Sequence, residues 1–266
     1  MNALVCSCLI LLVLVATVSG YELLTTKPQL KHLDWRNPFW DYVNKKIPSG
    51  AFRSASYTSL GTPSGYIITT VMQGTSCDGN AVVLTGGVGM DVCYTAENDQ
   101  GEPIGSIYFD FDGTEYPLLI TARVFDGVID CNGDIFQHYE IPIPDTCIAT
   151  DDSLLSYSFS YTEQSDPWKM QPAGGLLQQA YDTAQHCKDY NSMGMYTLIN
   201  TNVCAYSIII TGCSGDSYTV QFYGDRGCNI YLSENKMSLE TCYPYDLNPS
   251  NYTVDVLGYG SLFCNQ

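Results

Sequence analysis

Cysteine is the residue of this 266-residue chain best placed to do chemistry, with 12 copies. Cys6 and Cys8 lie in an uncharged apolar stretch at the start. The other ten are Cys77, Cys93, Cys131, Cys147, Cys187, Cys204, Cys213, Cys228, Cys242 and Cys264. Their even number suits complete oxidation to five disulfides. A zinc site would need close pairs such as Cys-x2-Cys, and none of the ten has that spacing. A disulfide framework points in turn to an oxidising, extracellular compartment.

Other reactive side chains form no recognisable constellation. The three histidines are His32, His138 and His186. No Gly-x-Ser-x-Gly elbow, His-Glu-x-x-His helix or phosphate loop is present. The run Gly86-Gly87-Val88-Gly89 lacks a following Lys-Ser/Thr and reads as a turn. A thiol nucleophile is not expected when every downstream cysteine can pair, and His186 beside Cys187 is read as incidental. Two placed carboxylates suffice for glycoside hydrolysis, but Asp110/Asp112 and Asp151/Asp152 are pairs without further support. Oxygens recur at Asp110/Asp112-Gly113 and at Asp130/Asn132/Asp134, as in calcium loops. In the second, Ile135 stands where an EF-hand glycine belongs and Ile141 where its closing Glu belongs. No catalytic, cofactor-binding or metal residue is therefore expected, and no cofactor.

The elements that must position the cysteines are strands. Three stretches align: 65–113, 117–161 and 216–258. Each reads strand, cysteine, excursion, cysteine, strand. The strands are 66–72 and 106–113, then 118–125 and 155–161, then 217–223 and 251–258. They are rich in β-branched and aromatic residues and often alternate, as in Tyr157/Phe159/Tyr161 and Tyr218/Val220/Phe222. A period of this order suggests one supersecondary unit used several times.

Four cysteine pairs have similar spacing: Cys77/Cys93, Cys131/Cys147, Cys187/Cys204 and Cys228/Cys242, with 15, 15, 16 and 13 residues between partners. Local pairing within each unit is the expectation, with Cys213–Cys264 closing the third unit and tying down the C-terminus. The competing scheme joins Cys187 to Cys213 and Cys204 to Cys264. Cys204 and Cys213 cannot bond to each other if the strand-like stretch between them is straight.

Helix signals are few. Residues 175–188 carry Leu176, Leu177, Ala180, Tyr181 and Ala184 at helical spacing, inside an insertion spanning about 164–215. A second helix is expected from Pro38, with Asn37 as cap, Phe39, Tyr42 and Val43 as its apolar face, Lys45 and Lys46 at its end, and Pro48 as its stop.

Residues 1–20 have the short apolar run and small terminal residues of a secretory signal peptide, with cleavage expected before Tyr21. The arm 21–53 is basic and aromatic, net +3 with Trp35 and Trp40, whereas 54–266 is net −20. The arm is expected to clamp onto the acidic body. The alternative is a removable pro-segment cut at Lys45-Lys46. An acidic body disfavours nucleic acid and anionic membranes as partners, and no later segment is apolar enough to span a bilayer. Asn251-Tyr252-Thr253 is the one N-glycosylation sequon.

The fold expected is mainly β: a disulfide-stapled antiparallel sandwich, or a row of similar β units, with one short insertion helix. The divisions are 1–20 leader, 21–53 arm, 54–163 β region with two cysteine-pair units, 164–215 insertion and 216–266 third unit. The function expected is a secreted, non-enzymatic recognition or adhesion module for an extracellular protein or carbohydrate, since 21 tyrosines supply amphipathic faces. The alternatives are a structural component of a matrix or coat, and a secreted glycoside hydrolase or hydrolase inhibitor.

Overall fold

Strands dominate because the chain alternates β-branched and aromatic residues between turns. The computed structural model describes residues 38–47, 54–57, 62–78, 81–97, 103–112, 118–150, 153–170, 174–181, 183–190, 193–244 and 259–265. All belong to the unit spanning residues 36–266. The leader, the arm up to Asn37 with Trp35 and His32, the stop at Pro48, Gly113, Asp151/Asp152 and the 251–258 stretch with Asn251 lie outside the described residues.

Three antiparallel sheets make the body. Sheet A orders β1 (Ser54–Tyr57), β4 (Cys93–Glu97), β5 (Pro103–Asp112), β6 (Leu118–Asp126) and β7 (Gln137–Ile143). Sheet B orders β16 (Tyr243–Pro244), β17 (Tyr259–Cys264), β10 (Gly175–Tyr181), β11 (Met193–Asn200), β3 (Val82–Gly89), β2 (Tyr66–Gln73), β9 (Leu155–Thr162) and β8 (Ile148–Ala149). Sheet C orders β12 (Cys204–Ala205), β13 (Ile208–Ser214), β14 (Ser217–Tyr223) and β15 (Tyr231–Ser238).

Sheets A and B face each other across the helix α1 (Pro38–Lys46). Nine residues form no stable helix alone, so packing holds it. Phe39 and Trp40 are buried. Phe39 meets Phe109 of β5 edge-on at 5.5 Å and Phe159 of β9 at 6.3 Å. Trp40 meets Tyr94 of β4 at 5.3 Å. The Tyr42 hydroxyl donates to the Pro142 carbonyl at 2.6 Å. Edge-to-face pairs of this kind add about 0.5–1.5 kcal/mol each beyond area burial. As far as it is described, the aromatic arm is thus built into the core, with Lys45 and Lys46 exposed at the helix end.

Register explains the alternation read in β9. Tyr157, Phe159 and Tyr161 stand opposite Val71, Thr69 and Ile67 of β2, so all six share the face toward α1 and sheet A. Tyr161 stacks on Phe111 of β5 with centroids 3.9 Å apart. On the other face of sheet B, Tyr66, Ile68, Leu177, Tyr196 and Leu198 pack with Trp168. Trp168 comes from a 3-10 turn, Pro167–Met170.

The stretch 175–188 is not one helix. Residues 175–181 form β10, between β11 and β17, and only Ala184–Asp189 forms a helix, α2. Six of the seven β10 residues are buried, so both its faces are covered and its residues do not alternate between apolar and polar. Such a run satisfies helical spacing by accident. Thr183 caps α2, its hydroxyl accepting from His186 N at 3.0 Å. The glycine run 86–89 also differs from expectation: it is strand, not turn. A Cβ on Gly87 would lie 2.1 Å from Cε1 of Tyr196, so glycine there seats a buried ring.

The disulfides correct the local pairing. They join Cys77–Cys147, Cys93–Cys131, Cys187–Cys242, Cys204–Cys228 and Cys213–Cys264. Of the pairs expected, only Cys213–Cys264 forms, which also removes the competing scheme. Each of the four locally spaced pairs has a whole strand between its members: β3, β7, β11 and β15 in turn. Seven or eight extended residues span roughly 25 Å, so each strand carries the chain away from its first cysteine, and both members bridge elsewhere. Four of the bridges instead nest, Cys93–Cys131 inside Cys77–Cys147 and Cys204–Cys228 inside Cys187–Cys242, while Cys213–Cys264 crosses the latter two. The first two stretches of the apparent repeat therefore share one body, with strands exchanged between sheets A and B.

Candidate functional site

The most prominent built surface feature is the connection between β6 and β7, residues 127–136. Its Asp130/Asn132/Asp134 read in the sequence as a weak calcium motif. In the structure the Asp130 carboxylate accepts from the backbone N of Asn132 at 3.1 Å and from its Nδ2 at 3.5 Å. The acid thus shapes the turn. Among the described residues no three His, Cys, Asp or Glu side chains gather as metal ligands.

What the loop presents is apolar. Ile129, Ile135 and Phe136 are 40%, 49% and 60% exposed. Around them Asp126, Asp130 and Asp134 also face solvent. Loops with exposed hydrophobes normally collapse or move, but this one is tied down. Gly127 N donates to Ile104 O at 3.0 Å, in a left-handed conformation (φ 66°) that suits glycine. The Ser106 hydroxyl on β5 donates to Val128 O at 2.5 Å and accepts from Cys131 N at 3.0 Å. The Thr95 hydroxyl on β4 donates to Ile129 O at 3.3 Å. Cys131 is bridged to buried Cys93 of β4, and Phe136 N closes the loop on Val124 O at 2.9 Å. Thr95 and Ser106 stand opposite each other on the outer face of sheet A, and both are fully buried by the loop lying over them.

Beside the loop, the same face carries a polar row. Tyr108 of β5 pairs with Arg123 of β6, which pairs with His138 of β7. Arg123 Nε lies 2.6 Å from Asp110 Oδ2, and the guanidinium stands 5.8 Å from the centre of the Tyr108 ring. Partial burial pushes the Asp110 carboxyl above its ordinary value of 3.8. Arg123 opposes that shift and Asp91 reinforces it. Asp110 is thus an ion-paired partner of Arg123, not a lone acid. The side chain of Asp112 lies outside the described residues, so the Asp110/Asp112 pair is untested.

The expected tyrosine-rich binding face is not found where the strands suggested it. Tyr66, Tyr94, Tyr157, Tyr181, Tyr196 and Tyr218 are buried. Their strand positions face a covered side, and burial raises the phenol pKa of Tyr181, Tyr196 and Tyr218, the last to about 12. Sequence reasoning missed the loop because it weighed the polar residues there. The signal present was Val128-Ile129 and Ile135-Phe136, four apolar residues bracketing a turn.

The five bridges fit an extracellular module, and among the described residues no helix is long and apolar enough to cross a membrane. Compared with known proteins, the chain matches no family model, no curated relative and no solved structure.

Proposed function

We propose that this chain is a secreted, non-enzymatic recognition module that grips an extracellular protein through the loop 127–136. The observation that carries the reading is that Ile129, Ile135 and Phe136 stand in solvent on a backbone anchored by a disulfide and five hydrogen bonds. A preorganised loop loses little entropy on binding, and exposed aromatic and aliphatic anchors act as interface hot spots when a partner buries them. The acidic rim of Asp126, Asp130 and Asp134 calls for a partner with an apolar centre and basic surroundings. That chemistry favours a protein over a glycan.

The test is proximity labelling at a cell surface with the bridged protein, followed by binding of the labelled candidate to variants. Ile135→Ser with Phe136→Ser is expected to weaken binding at least about tenfold. Asp126→Lys with Asp134→Lys should slow association of a basic partner. A partner held equally well by both variants sinks the loop reading. A glycan-array ligand lost on Tyr108→Ala, with the loop variants intact, would replace it with sugar binding at the Tyr108–Arg123 row.

A further inference from the structure

We infer that β15 is the surface on which two copies of this chain join, pairing antiparallel about a two-fold axis at Asn235. Edge strands are normally short, covered or interrupted, because a bare edge pairs with other chains. Sheet B obeys this rule with β8 and β16, two residues each. Sheet A ends in the four-residue β1 and in β7, which holds Pro142. Sheet C ends in the two-residue β12 on one side. Its other edge, β15, runs for eight residues, seven of them exposed, and among the described residues no strand lies beyond it.

Backbone geometry selects which groups point outward. Leu239 N donates to Asp216 O at 2.8 Å, in register with the β14–β15 ladder, so 239/216 is a bonded pair. Bonded and non-bonded pairs alternate in an antiparallel ladder. Asn235 is therefore bonded to Val220, whereas Glu234, Lys236 and Ser238 turn their backbone N–H and C=O away from β14. A second β15 must bond to those outward residues.

Charge then selects the register. With the axis at Asn235, Glu234 of each copy stands opposite Lys236 of the other, twice. Both side chains share one face, opposite Gln221 and Thr219 of β14. A shift of one residue in the axis sets Glu234 against Glu234, or Lys236 against Lys236, and like charges directly opposite are destabilising. Leu232 is the extra residue of a bulge opposite Phe222 and Tyr223, so the regular ladder offered to a second copy is Ser233–Ser238. The edge itself carries one acid and one base, so it adds no repulsion to a chain of net charge −17.

The experiment is sedimentation equilibrium of the purified, bridged protein over a concentration series. The native chain should show a monomer–dimer equilibrium. Glu234→Lys and Lys236→Glu should each raise the dimer dissociation constant at least about tenfold. An equimolar mixture of the two variants should recover the dimer, because an edge carrying two lysines then meets an edge carrying two glutamates. A misfolded variant would not be rescued by mixing. A native chain that stays monomeric at every concentration, a dimer indifferent to both substitutions, or an open-ended assembly instead of a closed pair would each overturn the inference.

Discussion

Sheets B and C are built from the same kinds of strand and end differently. Sheet B is covered on one face by α1 and sheet A, and on the other by Trp168 and the cluster around Tyr196. Both its edges finish in two-residue strands. Sheet C buries Tyr218, Val220 and Ile210 on one side, but β15 hangs beyond that core with nearly every residue in water. The contrast separates strands that hold the molecule together from a strand whose outer edge pairs with no other among the described residues. Sheet A falls between them: its inner face is core, and its outer face is capped by a loop that shows Phe136 to solvent.

The strongest way to break this comparison is to empty the wedge between sheets A and B. Trp40→Ala should cost about 3–5 kcal/mol, as for other large-to-small core changes, while Leu232→Ser on β15 should stay within about 0.5 kcal/mol. Equal losses in urea unfolding would show that β15 is core after all. Next come the staples. Replacing Cys77 and Cys147 by Ser opens a 70-residue separation and should cost roughly 4 kcal/mol. The Cys204/Cys228 pair closes 24 residues in sheet C and should cost about 3.5 kcal/mol. Chemical denaturation of the two double variants checks both the order and the nested pairing.

Glycines give a finer probe. Gly87→Ala in sheet B drives a methyl into the Tyr196 ring and should cost about 1–3 kcal/mol. Gly212→Ala in β13 meets nothing within 4 Å and should change stability by no more than about 0.5 kcal/mol. Thermal melts that rank the two the other way would contradict the packing of sheet B. The smallest effect at neutral pH is that of the buried phenols. Their folded pKa values lie above the ordinary 10.0, so the folded state keeps protons that the unfolded chain releases. Stability is thus complete below pH 10 and declines as pH rises through about 12 for Tyr218. Phenolate absorbance should show the buried tyrosines titrating with unfolding, and Tyr218→Phe should flatten part of the decline.

Much of this was legible in the residues. Alternating aromatic and β-branched positions are local facts, and β2, β5, β6, β9 and β14 lie where those patterns put them. Pro38, the Phe39/Val43 spacing and the paired lysines sufficed for α1. The even count and wide spacing of the cysteines marked bridges instead of metal. Cys213–Cys264 follows from the residues only as the remainder once Cys187 is paired with Cys204, a pair that does not form. The stretch from Cys204 to Cys213 is no straight strand but folds back as a hairpin of β12 on β13. The four local pairs fail because β3, β7, β11 and β15, strands the residue patterns do not mark, run between their members.

Tertiary structure alone decided the rest. Which cysteines meet depends on which strands lie side by side, and that is set by contacts tens of residues apart. Whether 175–181 is strand or helix depends on β11 and β17 offering hydrogen bonds on both sides, since its apolar residues fit either period. Whether a tyrosine is core or surface depends on which face of its strand another layer covers. A period of two tells that one side differs from the other; it does not tell which side will be dry.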